Sequence, residues 1–250
     1  MAPKKTRLDA RLCDDGLAGD LREAVGLILR GDVLVNGTPV ASTGAQVKTT
    51  DAVALKSGAI ACPWASRGGF KLDFAVRAFG LNLKDMVAMD VGASTGGFTD
   101  VLLHYGVGRV YAVDVGYGEL AWKVRSDPRV VPVERTNARH LTPERVNNSA
   151  FDIIVCDVSF ISLTLALPPA IAMLRQGGLL VALIKPQFEA DREASNAGGG
   201  VIRDVSVHKK TCLEICDWAV SQALTPLAMC RSPVAGRKGN AEFLLLAVKK

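Results

Sequence analysis

DVGASTGGFTD, residues 90–100, is the stretch on which the reading of this sequence turns. The apolar residues Met86, Val87, Ala88 and Met89 before it read as a buried strand, and VLLHYG (101–106) after it reads as a helix. A glycine-rich turn between a parallel strand and a helix lets the backbone approach a ligand closely. The helix N-terminus then offers unpaired N–H groups to the polar atoms of that ligand. Gly92, Gly96 and Gly97 stand where side chains would block the approach; Asp90, Ala93, Ser94 and Phe98 share the turn with them. The spacing G-x-x-x-G-G is not the G-x-G-x-x-G of dinucleotide sites. It suits a nucleoside with a small charged tail.

The segments after this turn alternate regularly. RVYAVDVG (109–116) reads as a second strand ending in Asp114, where an acid accepts hydrogen bonds from ribose hydroxyls. GELAWKVRSD (118–127) reads as a helix, VVPVERTNA (130–138) as a third strand with Asn137 at its exit, and LTPERV (141–146) as a short helix. Asn137 has two readings, a hydrogen-bonding partner for an adenine edge and a turn-forming asparagine. FDIIVCDVSF (151–160) is a fourth strand that delivers Asp157 to its C-terminal end, the edge where open α/β sheets bind ligands. GGLLVALIKPQFE (177–189) is a fifth, delivering Lys185 to the same edge. A lysine directly after a doubly buried strand needs a partner, and Asp157 is the obvious one. The polar loop 189–200, ending in three glycines, is read as a lid. A helix over 204–223 follows, then LAMCRSPVAG and AEFLLLAVKK as a closing hairpin with RKGN as its turn and Glu242 leading its last strand.

Bulk properties bound the answer. A chain of 250 residues, 49% hydrophobic and 22% charged, buries a full α/β domain plus a small appendage. Its longest apolar runs, such as LLVALI (179–184), are strand-length, far short of the roughly 20 residues that span a bilayer. The N-terminus has basic residues but no apolar signal core, so a cytoplasmic protein with no membrane partner is expected. Six cysteines form no CxxC pair and have no histidines in zinc spacing. They read as reduced packing residues, with no metal expected. The net charge of +5 permits a polyanionic partner. A monomer is the expected state.

Composition shifts near residue 60. RLDARLCDDGLA (7–18) predicts a short helix ending at Gly16. Asp20 with Glu23 forms a capping-box pattern ahead of Leu21, Ala24, Val25 and Ile28 at helical spacing, and Gly31 stops that helix. DVLVNGTPV (32–40) predicts a hairpin breaking at Asn36-Gly37, and AVAL (52–55) a further strand. Cys62-Pro63-Trp64-Ala65 joins the halves, and Gly68-Gly69 precede a helix carrying Lys71, Leu72, Ala75, Val76 and Phe79. Lys71 opposes the dipole of that first turn, a placement that a tertiary partner would justify and that a solvent-exposed lysine tolerates.

Two helices followed by G-x-V-x-V-N-G resemble the S4 RNA-binding module. That resemblance implies that Arg7, Arg11, Arg22 and Arg30, flanked by Lys4 and Lys5, grip RNA backbone, with Arg67 adding to them at the start of the second half. The family's Ser-Arg at the second helix start is Asp20-Leu21 here, with Arg22 one place late. Lys4 to Lys56 hold eight basic residues against seven acidic ones, so any phosphate grip rests on clustering.

The glycine turn, the acid after the second strand, five parallel strands and a final antiparallel hairpin look like a class I S-adenosylmethionine-dependent methyltransferase. Lys71, Asp157, Lys185 and Glu242, in SRGGFKL, CDVSF, IKPQFE and GNAEFLL, resemble the Lys-Asp-Lys-Glu tetrad of FtsJ-type RNA 2′-O-methyltransferases. With the S4-like front, the whole chain resembles the TlyA (hemolysin A) family of ribosomal RNA 2′-O-methyltransferases. GASTGGFT, DVGYGELAW, ERTNAR and DVSFISL belong to that likeness. The linker departs from it, with Cys62, Pro63, Trp64 and Ala65 where the family often has Arg-x-Trp-Val.

The resemblance implies an α/β fold, a Rossmann-like methyltransferase sheet with terminal antiparallel hairpin, over 67–250, behind an S4-like α+β domain (1–60) and a linker (61–66). It places S-adenosylmethionine on Asp90, Gly92, Ala93, Ser94, Gly96, Gly97, Phe98, Asp114, Asn137 and Asp157. A cytidine of ribosomal RNA is the implied substrate. The resemblance also favours the large subunit over the small one, since shorter forms of the family tend to act on large-subunit RNA only and this sequence stops just after its last strand. A lysine at its ordinary pKa of about 10.4 is charged at neutral pH. Lys185 is therefore read either as general base or as the group that orients the hydroxyl. Asp157 is its orienter, and Lys71 and Glu242 are supporting members. The alternatives are an RNA-binding protein on an inactive methyltransferase fold, a lytic hemolysin, and an S4-fused pseudouridine synthase.

Overall fold

A computed structural model describes residues 5–18, 20–29, 31–42, 44–56, 62–190, 200–236 and 239–250. The chain divides into two compact units, Met1–Pro63 and Trp64–Lys250.

The first unit contains β1 (Lys5–Arg7), α1 (Leu8–Asp14), α2 (Leu21–Leu29), β2 (Val33–Val35), β3 (Thr38–Val40), β4 (Gln46–Lys48) and β5 (Val53–Leu55). Leu8, Leu12, Ala24, Leu27, Ile28, Val33 and Val47 form its core. Asp20 Oδ1 accepts the Glu23 N–H at 2.8 Å, half of the expected capping box. The Glu23 carboxylate instead accepts the Cys62 N–H at 2.9 Å. Asn36 and Gly37 both take positive φ (52° and 81°), as a two-residue turn between twisted strands requires. The antiparallel pairing of β2 with β3 follows from it. The β1–β4 pair was not expected, because three residues are too few to show alternation.

The second unit is built on one seven-stranded sheet in the order β11-β12-β10-β9-β6-β7-β8. Its strands are β6 (Val87–Val91), β7 (Arg109–Val113), β8 (Val130–Val133), β9 (Phe151–Cys156), β10 (Leu174–Ile184), β11 (Leu224–Arg231) and β12 (Phe243–Lys249). The five from β6 to β10 run parallel, and β12 inserts antiparallel between β10 and β11. This is the expected sheet with its closing hairpin. Alternate residues of each central strand enter opposite cores. Ile153, Val155, Val181, Leu183, Leu244 and Leu246 face one side with α3 (Gly69–Ala78) and α4 (Gly97–His104). Ile154, Cys156, Leu180, Ala182, Ile184 and Leu245 face the other. Each fully buried Leu or Ile contributes about 1.5–3 kcal/mol. A one-residue slip would exchange the two faces, so the register is strongly set.

Several expectations are corrected. The helix expected over 118–127 is reduced to α5 (Trp122–Arg125). Gly118 is left-handed (φ 72°), and the Ala121 N–H is drawn to the Thr95 carbonyl at 3.1 Å. LTPERV forms only a 3-10 turn at Pro143–Val146, closed by left-handed Asn147. The short helices α6 (Leu163–Ala166) and α7 (Pro168–Ala172) were not anticipated, because Pro168 and Pro169 interrupt any helical periodicity. The fifth strand starts earlier than expected, with an irregularity between Leu174 and Leu179. The long helix appears as α9 (Val205–Ser221), capped by Asp204. Most of the loop read as a lid (191–199), the positions Arg237 and Lys238, Lys4, Arg30 and the Arg22 side chain lie outside the described residues. All six cysteines are free thiols.

Candidate active site

The C-terminal ends of β6, β9 and β10 open onto a cleft of about 790 Å³ in the second unit. On the β6 side it is made by backbone. Gly92 is left-handed (φ 85°), and a Cβ there would come within 2.9 Å of the Asp157 carbonyl oxygen. Gly96, also left-handed (φ 90°), starts α4. A Cβ on Gly97 would meet Ser66 Oγ at 2.2 Å and the Gly69 nitrogen at 3.1 Å. Gly97 therefore lets α4 begin hard against the residues leading into α3, whereas a Cβ on Gly96 would meet Val124 at 3.0 Å and Leu120 at 3.1 Å. Asp90 is wholly buried in this turn. Its Oδ2 accepts from Thr99 Oγ1 at 2.7 Å, while its Oδ1 has no hydrogen-bond partner. Burial, with Asp157 and Asp114 adding to it, pushes the Asp90 carboxyl up to about 7.

On the other side the cleft is made by side chains. Lys71 in the first turn of α3, Asp157 after β9, Lys185 after β10 and Glu242 before β12 form a chain of alternating charge. Lys185 Nζ lies 2.5 Å from Asp157 Oδ1. Lys71 Nζ lies 3.4 Å from Asp157 Oδ2 and 2.7 Å from Glu242 Oε2. The four side chains are between 3% and 18% exposed, and two positive groups balance two negative ones. Lys71 is thus a buried, partnered lysine, which settles the choice left by its helix position. Two of these oxygens, Asp157 Oδ1 and Glu242 Oε2, sit at ion-pair distance but outside hydrogen-bonding geometry, and so retain acceptor capacity. A buried charge left without its partner costs about 3–5 kcal/mol, so each member depends on the next. An ammonium and a carboxylate presented to one point can orient a hydroxyl and relieve it of its proton.

Of the expected residues, Lys71, Asp157, Lys185, Glu242, Gly92, Ala93, Ser94, Gly97, Phe98 and Arg67 line the cleft. Asp90 and Gly96 lie behind its wall rather than on it. Asp114 accepts the Ser94 N–H at 2.8 Å and the Gly116 N–H at 2.7 Å, bracing the turn from its flank. Asn137 does the turn-forming job, its Oδ1 accepting the Arg139 N–H at 3.1 Å, and it is not among the lining residues. In the first unit Arg7 is paired with Asp9 at 2.6 Å and Arg11 with Asp15 at 2.7 Å.

Sequence reasoning missed several residues. Ser159 accepts from Lys185 Nζ at 2.8 Å. Gly236 leaves the space Glu242 needs, since a Cβ there would fall 2.1 Å from Glu242 Oε1. Asn240 binds the Gly200 carbonyl at 2.8 Å and the Ile202 N–H at 3.0 Å, fixing the approach to β12. Phe160, 80% exposed, stacks obliquely on Phe188 at 5.2 Å at the cleft. Only Ser159 and Phe160 carried a signal, as members of the CDVSF stretch that holds Asp157.

Among the described residues no cluster of His, Cys, Asp and Glu fits a metal ion, and no helix is long and apolar enough to cross a membrane. Residues 64–249 match the family FtsJ, FtsJ-like methyltransferase. The 16S/23S rRNA (cytidine-2′-O)-methyltransferase TlyA of Mycobacterium tuberculosis is 39% identical over 242 residues, 97% of this chain and 89% of that protein. Hemolysin A of Brachyspira hyodysenteriae is 38% identical over 238 residues, 95% of this chain and 98% of that one. A solved Streptococcus thermophilus protein bearing a hemolysin name superposes with TM-score 0.78 at 38% identity, covering 100% of this chain and 90% of the other.

Proposed function

We propose that this chain, which belongs to the FtsJ-like methyltransferase family and within it to the TlyA/hemolysin A group, transfers a methyl group from S-adenosylmethionine to the 2′-hydroxyl of a ribosomal RNA cytidine. The observation that carries the reading is the Lys185–Asp157–Lys71–Glu242 chain set against the glycine turn. Family membership supports methyl transfer. The ion chain supports a hydroxyl as acceptor, because it supplies what a poor nucleophile lacks.

The residues at the β6 exit fit the cofactor. Asp90, behind the cleft wall, steadies the turn by accepting from Thr99 Oγ1 at 2.7 Å. The glycines keep side chains out of the cradle, and Asp114 stands where ribose hydroxyls are received. When bound, the cofactor supplies a methyl group on a good leaving group. The protein's own work is to align the hydroxyl in line with that methyl, a contribution that reaches 7–11 kcal/mol in well-oriented systems (about that order). Lys185, oriented by Asp157, holds the hydroxyl and, in its uncharged form, takes its proton as the oxygen attacks the methyl carbon, while Lys71 and Glu242 keep Asp157 in place. The target nucleotide is splayed out of folded RNA to reach the cleft.

The first unit is, on this reading, an S4-like RNA-binding module, with Arg7 and Arg11 toward phosphate and Arg67 serving RNA from the second unit. The substrate is ribosomal RNA, and the protein works in the cytoplasm, where ribosomal subunits are. Labelled-methyl transfer to separated subunits tests the proposal. Label in 2′-O-methylcytidine supports it, and a protein that binds cofactor yet labels no subunit or naked rRNA contradicts it.

A further inference from the structure

Asp157, Ser159 and Phe160 sit on one short segment between β9 and α6, and Lys185 sits at the exit of the neighbouring β10. Their ladder ends earlier, at the Cys156–Ala182 pairing. Beyond it no ladder bond joins the two exits to each other; each is held from its far side, Asp157 by its N–H to the Val91 carbonyl at 3.1 Å and Ile184 by its pairing with Phe243. Lys185 itself reaches across to Asp157 and Ser159, but a reacting group makes a poor hinge pin.

A second connection lies one helical turn further on. α8 (Pro186–Glu189) is a single turn that begins directly after Lys185, with the Phe188 N–H bound to the Lys185 carbonyl at 2.8 Å. Its last residue, Glu189, reaches back across the gap. Glu189 Oε2 accepts from Ser162 Oγ at 2.5 Å, and Oε1 accepts the Leu163 N–H at 2.9 Å. Ser162 in turn caps α6 through the Thr164 N–H at 3.1 Å. Between the clamp and Asp157, Phe160 is held left-handed (φ 65°), a strained conformation for a bulky aromatic residue that surrounding contacts must enforce. Burial raises the Glu189 carboxyl above the usual carboxylate range, and among the described residues no lysine or arginine ion pair offsets this. Glu189 does not line the cleft.

We propose that Glu189 is a positioning residue for methyl transfer, clamping the segment that carries Asp157 and Ser159 to the turn that carries Lys185. The inference rests on the proposed function of that site. A displacement of about 1 Å at reacting groups costs on the order of 100-fold in rate. The test uses the full chain, ribosomal subunits and labelled S-adenosylmethionine, with S-adenosylhomocysteine affinity and melting temperature measured alongside. Glu189→Ala is expected to lower kcat by about 10- to 100-fold, with KM for subunits and product affinity within about twofold. Glu189→Gln keeps an acceptor for the Leu163 N–H and is expected to recover to within about threefold of wild type. Ser162→Ala, which removes one arm of the clamp, is expected to lose about three- to tenfold in kcat at unchanged product affinity. The proposal is overturned if Glu189→Ala or Ser162→Ala matches wild type. It is also overturned if kcat, product affinity and melting temperature fall together in Glu189→Ala and the glutamine does not rescue them. A wild-type protein that labels no subunit overturns the proposed function as well, whereas an active wild type confines the failure to Glu189.

Discussion

The glycine turn after β6 and the ion chain line the same cleft but rest on the sequence in different ways. The turn is local and made of backbone. Its conformation needs absent side chains at Gly92, Gly96 and Gly97, and its braces, Thr99 and Asp114, follow within the next strand and helix. The ion chain is non-local and made of side chains. Lys71, Asp157, Lys185 and Glu242 come from four elements, and only the sheet order, with β12 inserted beside β10, brings the last of them alongside the others. The two meet where Gly92 passes the Asp157 carbonyl and again where Gly97 abuts the start of α3. A site divided in this way should lose binding and chemistry separately.

Lys185→Ala tests the separation hardest. It should lower kcat by about 10³-fold, within the range for removing an acid–base group, while calorimetry shows S-adenosylhomocysteine bound as in wild type. Gly97→Ala is the converse. Its Cβ collides with Ser66 and the start of α3, an overpacking that costs about 1–3 kcal/mol. Product affinity should fall by roughly 10- to 100-fold, with kcat at saturating cofactor changed much less. A Gly97→Ala protein that binds normally but turns over slowly would join the two regions again.

Asp90 sharpens the comparison through pH. Its carboxyl is raised to about 7 in the folded protein, so the fold holds a proton that the unfolded chain has already released. The stability this contributes is complete below the ordinary carboxylate value near 4 and is lost as pH rises towards about 7. Melting temperatures measured without cofactor across that window should fall less for Asp90→Asn than for wild type. The smallest effect is expected outside the cleft. Arg7→Ala with Arg11→Ala should raise KM for subunits by about two- to fivefold, leave kcat alone and make the salt dependence of binding shallower.

The turn could be read before any fold was known because its signal is contiguous: an apolar run, spaced glycines and a helical pattern. The five parallel strands were legible for the same reason, their buried runs being bounded by turn residues. The ion chain was different. Asp157 and Lys185 stood out as charges after buried strands, whereas Lys71 was marked only by its unfavourable place against a helix dipole and Glu242 only by leading the last strand, and their roles came through likeness to a known tetrad. Gly236, Asn240 and Glu189 escaped altogether, because what each does is defined by a partner far along the chain: Glu242, Ile202 and Ser162. The shortfall of α5 has a similar cause. The residues 118–121 have helical composition, but a long-range bond to Thr95 takes the backbone elsewhere.

The central claim is that the ion chain performs chemistry beside a cofactor that the glycine turn holds. Labelled-methyl transfer to ribosomal subunits by wild type and Lys185→Ala, with mapping of the modified nucleotide and product binding measured on both proteins, tests it most directly. The account predicts a 2′-O-methylcytidine made by wild type and almost none by Lys185→Ala, at equal affinity for S-adenosylhomocysteine. Methylation at the wild-type rate by Lys185→Ala, or a methyl group placed on a base instead of a ribose, would contradict it.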